Sequence, residues 1–238
     1  MARAPIHETA VTLAGRAVPV RFYRNHRARQ IILRVDSQDD GYEGIVLTLP
    51  RRTAFTEGLD LAREKADWVL GRLDGMTPRV PFRDGALVPL GGVEHRIRHL
   101  PAERRGVWRD GLDILVAGRA EHLARRVRDW LSALAKEEIA PLVRDKTQLI
   151  KRPAGRITIR DTKSRWGSCS HDGNLSFCWR LVMAPAGVLD YVVAHEVAHL
   201  RWNDHGPGFW GAVAQLTADP EGARRWLNDH GERLHRYG

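Results

Sequence analysis

Two cysteines, Cys169 and Cys178, are all the thiols in 238 residues. So few exclude a disulfide scaffold, and their spacing is not that of a zinc clip. They are expected as partly buried thiols in a reducing, cytoplasmic compartment. Long apolar runs are also missing. No stretch approaches the ~20 residues of a membrane span. The opening Met1-Ala2-Arg3-Ala4-Pro5-Ile6-His7 has no apolar core for a signal peptide. No membrane partner is therefore expected. Repeats and low-complexity tracts are absent, which excludes solenoids and fibrous chains. Acidic residues are in deficit, with 29 Asp and Glu against 38 Lys and Arg, for a net charge of +9. Such a balance attracts nucleic acid, anionic lipid or acidic protein. Arginine far outnumbers lysine, and a merely solvated arginine-rich surface explains the composition as well as a nucleic-acid surface does.

What is present is an ordinary globular composition, 43% hydrophobic, long enough for one large domain or two small ones. The first half reads mostly as strands. Val18–Arg24 and Gln30–Val35 flank the basic turn Arg24-Asn25-His26-Arg27-Ala28-Arg29, and Ile45–Leu49 runs into Pro50. Thr53 is placed to cap a helix from Ala54 to Leu73. Gly91-Gly92 and Asp110-Gly111 mark two hairpins. The second half changes character near 117–120. Ala120–Leu149 has the spacing of a long amphipathic helix, with an interruption before Pro141 as one outcome. Arg156–Arg160 and Leu175–Leu181 alternate as strands around the turn His171-Asp172-Gly173-Asn174. Residues 207–217 and 221–235 read as two helices separated by Asp219-Pro220.

His195-Glu196-Val197-Ala198-His199 is the chemically loaded segment. If 187–201 is helical, the two histidines lie one turn apart on one face, with Glu196 about 100° round from them. Two imidazoles so placed bind one zinc ion, and the neighbouring carboxylate takes a proton from a zinc-activated water. The pattern alone is weak. It gains weight because Val188, Leu189, Val192, Val193, Val197 and Leu200 cover most of the helix circumference, and a buried glutamate between two histidines is costly unless paired or metal-bound. A third ligand is needed. His205 follows at the spacing found in metzincin peptidases, which have glycine where this chain has Trp202. It reaches the ion only if the chain turns at 202–204, with Asn203 as a left-handed helix end. Glu221, Asp219 and His230 are the rivals; His205 is nearer and has better ligand chemistry. A fourth protein ligand from Glu221 or His230 would instead mark a non-catalytic, zinc-stabilised binding module.

Arg165-Trp166-Gly167-Ser168-Cys169-Ser170, Gly173-Asn174, Trp179-Arg180-Leu181, Ala184-Pro185, the block Asp190–Leu200, His205 and Phe209-Trp210 occur in that order. This succession resembles the YgjP-like metallopeptidase family, relatives of the SprT-like zinc proteins. The resemblance implies an α+β chain: a β-rich N-terminal region with one helix, 1–118, then a small zincin-like α/β metallopeptidase unit, 119–238, with a central HExxH helix, or both as one compact body. It implies zinc-dependent hydrolysis of peptide bonds. His195, His199 and His205 would be the ligands of one Zn2+, and Glu196 the general base and acid. A nucleic-acid-associated protease is the alternative that the SprT-like relatives and the basic charge suggest. Arg165 is either a contact to the transition state or half of a stacked pair with Trp166. Gly167 permits a close backbone approach. The strand at 174–179, if an edge beside the zinc helix, could pair with an extended substrate.

Overall fold

The computed structural model describes residues 4–37, 42–75 and 79–238. The chain divides into two compact units, Met1–Pro78 and Arg79–Gly238. The composition shift near 117–120 therefore marks the start of a helix, while the division itself falls at 78/79.

The first unit is a four-stranded sheet under two helices. The strands are β1 (His7–Leu13), β2 (Arg16–Arg24), β3 (Ile32–Ser37) and β4 (Glu43–Leu49), in the order β1-β2-β4-β3. β1 has no counterpart among the expected strands. The strands that flank the basic turn do not pair. β4 lies between them, parallel to β2 and antiparallel to β3. The reason is in its sequence: Gly44-Ile45-Val46-Leu47 is buried residue after residue, a pattern that requires cover on both faces and both edges. The expected single helix is two, α1 (Phe55–Glu64) and α2 (Ala66–Asp74), broken at Lys65, where no glycine or proline announces it. Thr53 is not the cap. Ala54 holds that position, and its N–H donates to Glu57 Oε1 at 2.7 Å. Val18, Val20, Phe22, Ile45, Leu47 and Leu49 form the core with Ala62 and Val69.

The second unit begins with β5 (Leu87–Leu90), β6 (Val93–Leu100), β7 (Val107–Asp110) and β8 (Asp113–Ala117), in the order β5-β6-β8-β7. Both expected hairpins form. This sheet belongs with the later helices because they share one core: Val88, Ile97, Ile114 and Val116 pack with Leu131, Leu181 and Val193. After a 3-10 turn at Ala120–His122, α3 (Leu123–Leu149) runs through Pro141 without interruption. A proline forfeits one helical bond, but Ile139 and Val143 on either side are buried and hold the rod in place. β9 (Ile157–Arg160), β10 (Gly167–Cys169) and β11 (Leu175–Cys178) form a small sheet in the order β10-β11-β9. A 3-10 segment, Trp179–Met183, leads into α4 (Ala186–Ala198), followed by α5 (Pro207–Leu216) and α6 (Pro220–Leu234). Pro207 and Pro220 stand in the first turns of the last two, where a missing N–H costs nothing.

Three ties fix α4. Gly91 and Gly92 of the β5–β6 turn donate their N–H groups to the carbonyls of Val182 and Met183 at 2.7 and 3.0 Å. Gly92 has φ +82, and a Cβ there would lie 3.0 Å from Pro185, so the turn presses directly on the start of the helix. Lys146 of α3, itself buried, pairs with Asp190 of α4 at 2.6 Å. Arg180, 3% exposed, pairs with Asp161 and donates to the Tyr237 carbonyl at 3.1 Å. Cys169 is half-buried, Cys178 is buried, and both are free. No helix among the described residues is long and apolar enough to cross a membrane.

Candidate metal centre

α4 is apolar nearly all round, with Val188, Leu189, Val192, Val193, Ala194, Val197 and Ala198 buried. That burial fixes its rotation, and the rotation presents His195 and His199 together. His199 is the C-cap, with φ −63 and ψ −17. From there the backbone tightens. Leu200 and Arg201 bond three residues back, to Val197 and Ala198, at 3.0 and 3.1 Å. Asn203 is not left-handed; the positive φ values outside glycine among the described residues are at Ala14 and Lys151. The reversal thus begins at His199 and uses 3-10 tightening, three residues before the expected turn.

Trp202 closes this reversal in two ways. Its indole Nε1 and Cδ1 would lie 2.8 and 3.1 Å from a Cβ at Gly208, so the ring packs against the start of α5. Its carbonyl oxygen lies 3.0 Å from His199 Nδ1. A carbonyl only accepts, so His199 carries its proton on Nδ1 and leaves Nε2 as a lone-pair donor. His205 returns to the pair: its Nε2 is 3.3 Å from His195 Nε2. One ring nitrogen from each of His195, His199 and His205 lies within 4.8 Å of the other two. Phe209, fully buried, floors the group, its ring 4.9, 4.6 and 4.6 Å from the three imidazoles. It is a core residue, as its sequence context suggests, and also the backing of the cluster. Burial and the neighbouring His199 and His205 lower the pKa of His195 to about 4, so at neutral pH it is an uncharged donor.

None of the rivals joins the group of three histidines. Asp219 Oδ1 caps α6 by accepting the Gly222 N–H at 2.8 Å. Glu221 pairs with Arg224 at 3.2 Å. His230 sits against Trp226, with ring centroids 5.2 Å apart.

Glu196 is 6% exposed, with its side chain against Gly167 of β10. A Cβ on Gly167 would stand 2.5 Å from Glu196 Cγ and 2.6 Å from Oε1, so glycine is the residue that lets this strand reach the carboxylate. Burial raises the pKa of Glu196 to about 7, and the charge of Arg165 pulls against that rise. Arg165 itself is exposed. Trp166 does not stack with it. The indole lies instead on His235 of the C-terminal segment, with centroids 4.6 Å apart and planes 25° apart, and packs against Gly231. The stack anchors the residue just before Gly167.

β11 is the middle strand of its sheet, so the open edge beside α4 is β10, a strand the sequence reading did not contain. Gly167 stands opposite Phe177 and Cys169 opposite Leu175, while Trp166 and Ser170 hold the bonds to β11. By the alternation of an antiparallel ladder, Gly167 and Cys169 turn their N–H and C=O groups to the open side.

A family model described as YgjP-like, metallopeptidase domain, matches residues 29–230. Neither the curated proteins nor the solved structures yielded a match. The match takes in the first unit from Arg29 onward, the second unit as far as His230 and every residue of the histidine cluster, and with the site's geometry it gives the conclusion that this chain belongs to the YgjP-like metallopeptidase family.

Proposed function

We propose that the chain is a zinc peptidase that holds one ion on His195, His199 and His205 and uses Glu196 as its proton carrier. The observation that carries the reading is the convergence of three imidazole nitrogens beside a buried carboxylate. The donor set fits zinc: three imidazoles are ligands it favours, one nitrogen of each lies within 4.8 Å of the others, and His195 and His205 bring theirs to 3.3 Å. Neither Glu221 nor His230 joins the group formed by the three histidines, which disfavours a closed structural site.

Zinc held there supplies a Lewis acid that activates water and polarises the scissile carbonyl. Everything else falls to the chain. Glu196, with a pKa near neutrality, accepts a proton during attack and passes it to the leaving amine. Arg165 is offered to the negative charge that builds on the carbonyl oxygen. The open edge of β10 receives an extended peptide by main-chain hydrogen bonds, with Gly167 setting that edge against Glu196. A chelator is expected to abolish hydrolysis of an unfolded protein such as casein, and zinc to restore it. Activity that persists in metal-free protein would remove the reading.

Gly167→Ala is a more local test. Its new methyl meets the middle of the Glu196 side chain, and moving a positioned catalytic group by about 1 Å costs on the order of 100-fold. The variant should keep its zinc content and stay folded, with a somewhat lower unfolding temperature from the added crowding, while turnover falls at least tenfold. Unchanged turnover would show that Glu196 need not sit where Gly167 allows.

A further inference from the structure

The cations of the first unit are not evenly neutralised. Arg16 pairs with Asp74, Arg21 with Glu8, Arg63 with Asp60 and Lys65 with Glu64, at 2.6, 3.0, 2.7 and 2.7 Å. Arg27, Arg29, Arg51 and Arg52 are exposed, and none has a carboxylate partner among the described residues. All four stand at one end of the sheet. β2 and β4 run parallel with Arg24 opposite Leu49, so the turns that leave the two strands emerge side by side, about 4.8 Å apart at their base.

These turns are stitched together before any ligand arrives. The Asn25 N–H donates to the Leu49 carbonyl at 3.0 Å. The Arg24 guanidinium donates to the carbonyls of Pro50, Arg51 and Thr53 at 2.8, 2.6 and 3.2 Å. Asn25 also closes its own turn, with Oδ1 accepting the Arg27 N–H at 3.0 Å and its carbonyl accepting the Ala28 N–H at 3.1 Å. Arg24 is thus a staple. The four arginines around it are held outward on ordered backbone, with exposed His26 among them. The nearest carboxylate along the chain, Glu57, is turned back onto the Ala54 N–H at 2.7 Å. Four unneutralised guanidinium groups on adjoining turns repel one another, and a polyanion relieves that repulsion. The planar fork of arginine matches phosphate oxygens in pairs.

We propose that Arg27, Arg29, Arg51 and Arg52 form a nucleic-acid-binding surface that grips the phosphodiester backbone without reading the bases. Exposed Ile32 and Phe55 flank the two turns, but the turns themselves carry only polar and charged tips, which suits a phosphodiester backbone better than acyl chains. The inference stands apart from peptide hydrolysis and does not depend on it.

The test is fluorescence anisotropy of the full chain with a short, mixed-sequence single-stranded DNA over a salt series. Binding is expected at about 50 mM salt, weakening as salt rises, with a slope that reports the phosphates engaged. The variant R27Q/R29Q/R51Q/R52Q should flatten that slope by about 0.7 per arginine engaged and bind at least tenfold more weakly. A control, R63Q/R119Q/R125Q/R144Q, removes the same charge from exposed arginines that already have carboxylate partners, and it should lose much less. All eight positions are exposed, and circular dichroism checks that both variants fold. Equal losses in the two variants would overturn the proposal, as would no DNA binding by the wild type at low salt. Binding only to phosphatidylserine-containing vesicles would also overturn it.

Discussion

Glu196→Gln is expected to keep its metal and to lose peptide hydrolysis by about 100- to 10,000-fold, the usual worth of a positioned proton carrier. Glutamine has the same shape as glutamate and fits the same space under Gly167, where a single added carbon would already be 2.5 Å from the side chain. What it lacks is a site that takes up a proton. Burial has moved the pKa of Glu196 to about 7, so near neutral pH the carboxyl passes easily between its two forms, as a group that first accepts and then donates must. Metal analysis of the variant beside its rate on an unfolded protein separates the two contributions. Full zinc content with full activity would take the proton role from Glu196 and leave the ligand set standing.

His199→Ala is expected to weaken zinc binding by well over 100-fold, because changing even the partner of a ligand costs about 10- to 100-fold. This imidazole is held from behind: its Nδ1 lies 3.0 Å from the Trp202 carbonyl and its ring 4.6 Å from Phe209. Alanine loses both the donor and that orientation. His205→Ala should match it, although His205 is the most exposed of the three. Glu221→Ala should leave zinc content unchanged, since Glu221 is engaged with Arg224. Zinc retained at full occupancy after either histidine replacement would reassign that ligand.

Legibility followed the range over which each interaction acts. The imidazole pair on one helical face, the proline starts of α5 and α6 and the Gly91-Gly92 turn depend on neighbours within a few residues, and all could be read along the chain. The insertion of β4 between β2 and β3 could not, because pairing is decided by which strand most needs burial. β10 was invisible for another reason. Gly167-Ser168-Cys169 has no strand-forming bias, and its conformation follows from β11 on one side and Glu196 on the other. Trp202 stands where metzincin peptidases have glycine, in the loop between His199 and His205. It is the loop's brace, through a carbonyl and a ring, and neither role has a sequence signature.

The three imidazoles come from one short stretch, His195 to His205, and that bears on how the protein is made and kept. Closing a loop costs about 0.6 kcal/mol for each doubling of its length, so a ligand at Glu221 would have carried a larger ordering cost than His205 does. The core of the second unit, from Phe82 to Leu234, includes none of the three histidines. If the ion is held as proposed, its loss is expected to free a few residues between α4 and α5 rather than the whole unit. On that reading, a chain stripped of its ion would wait folded and could be recharged, with no need to be synthesised again.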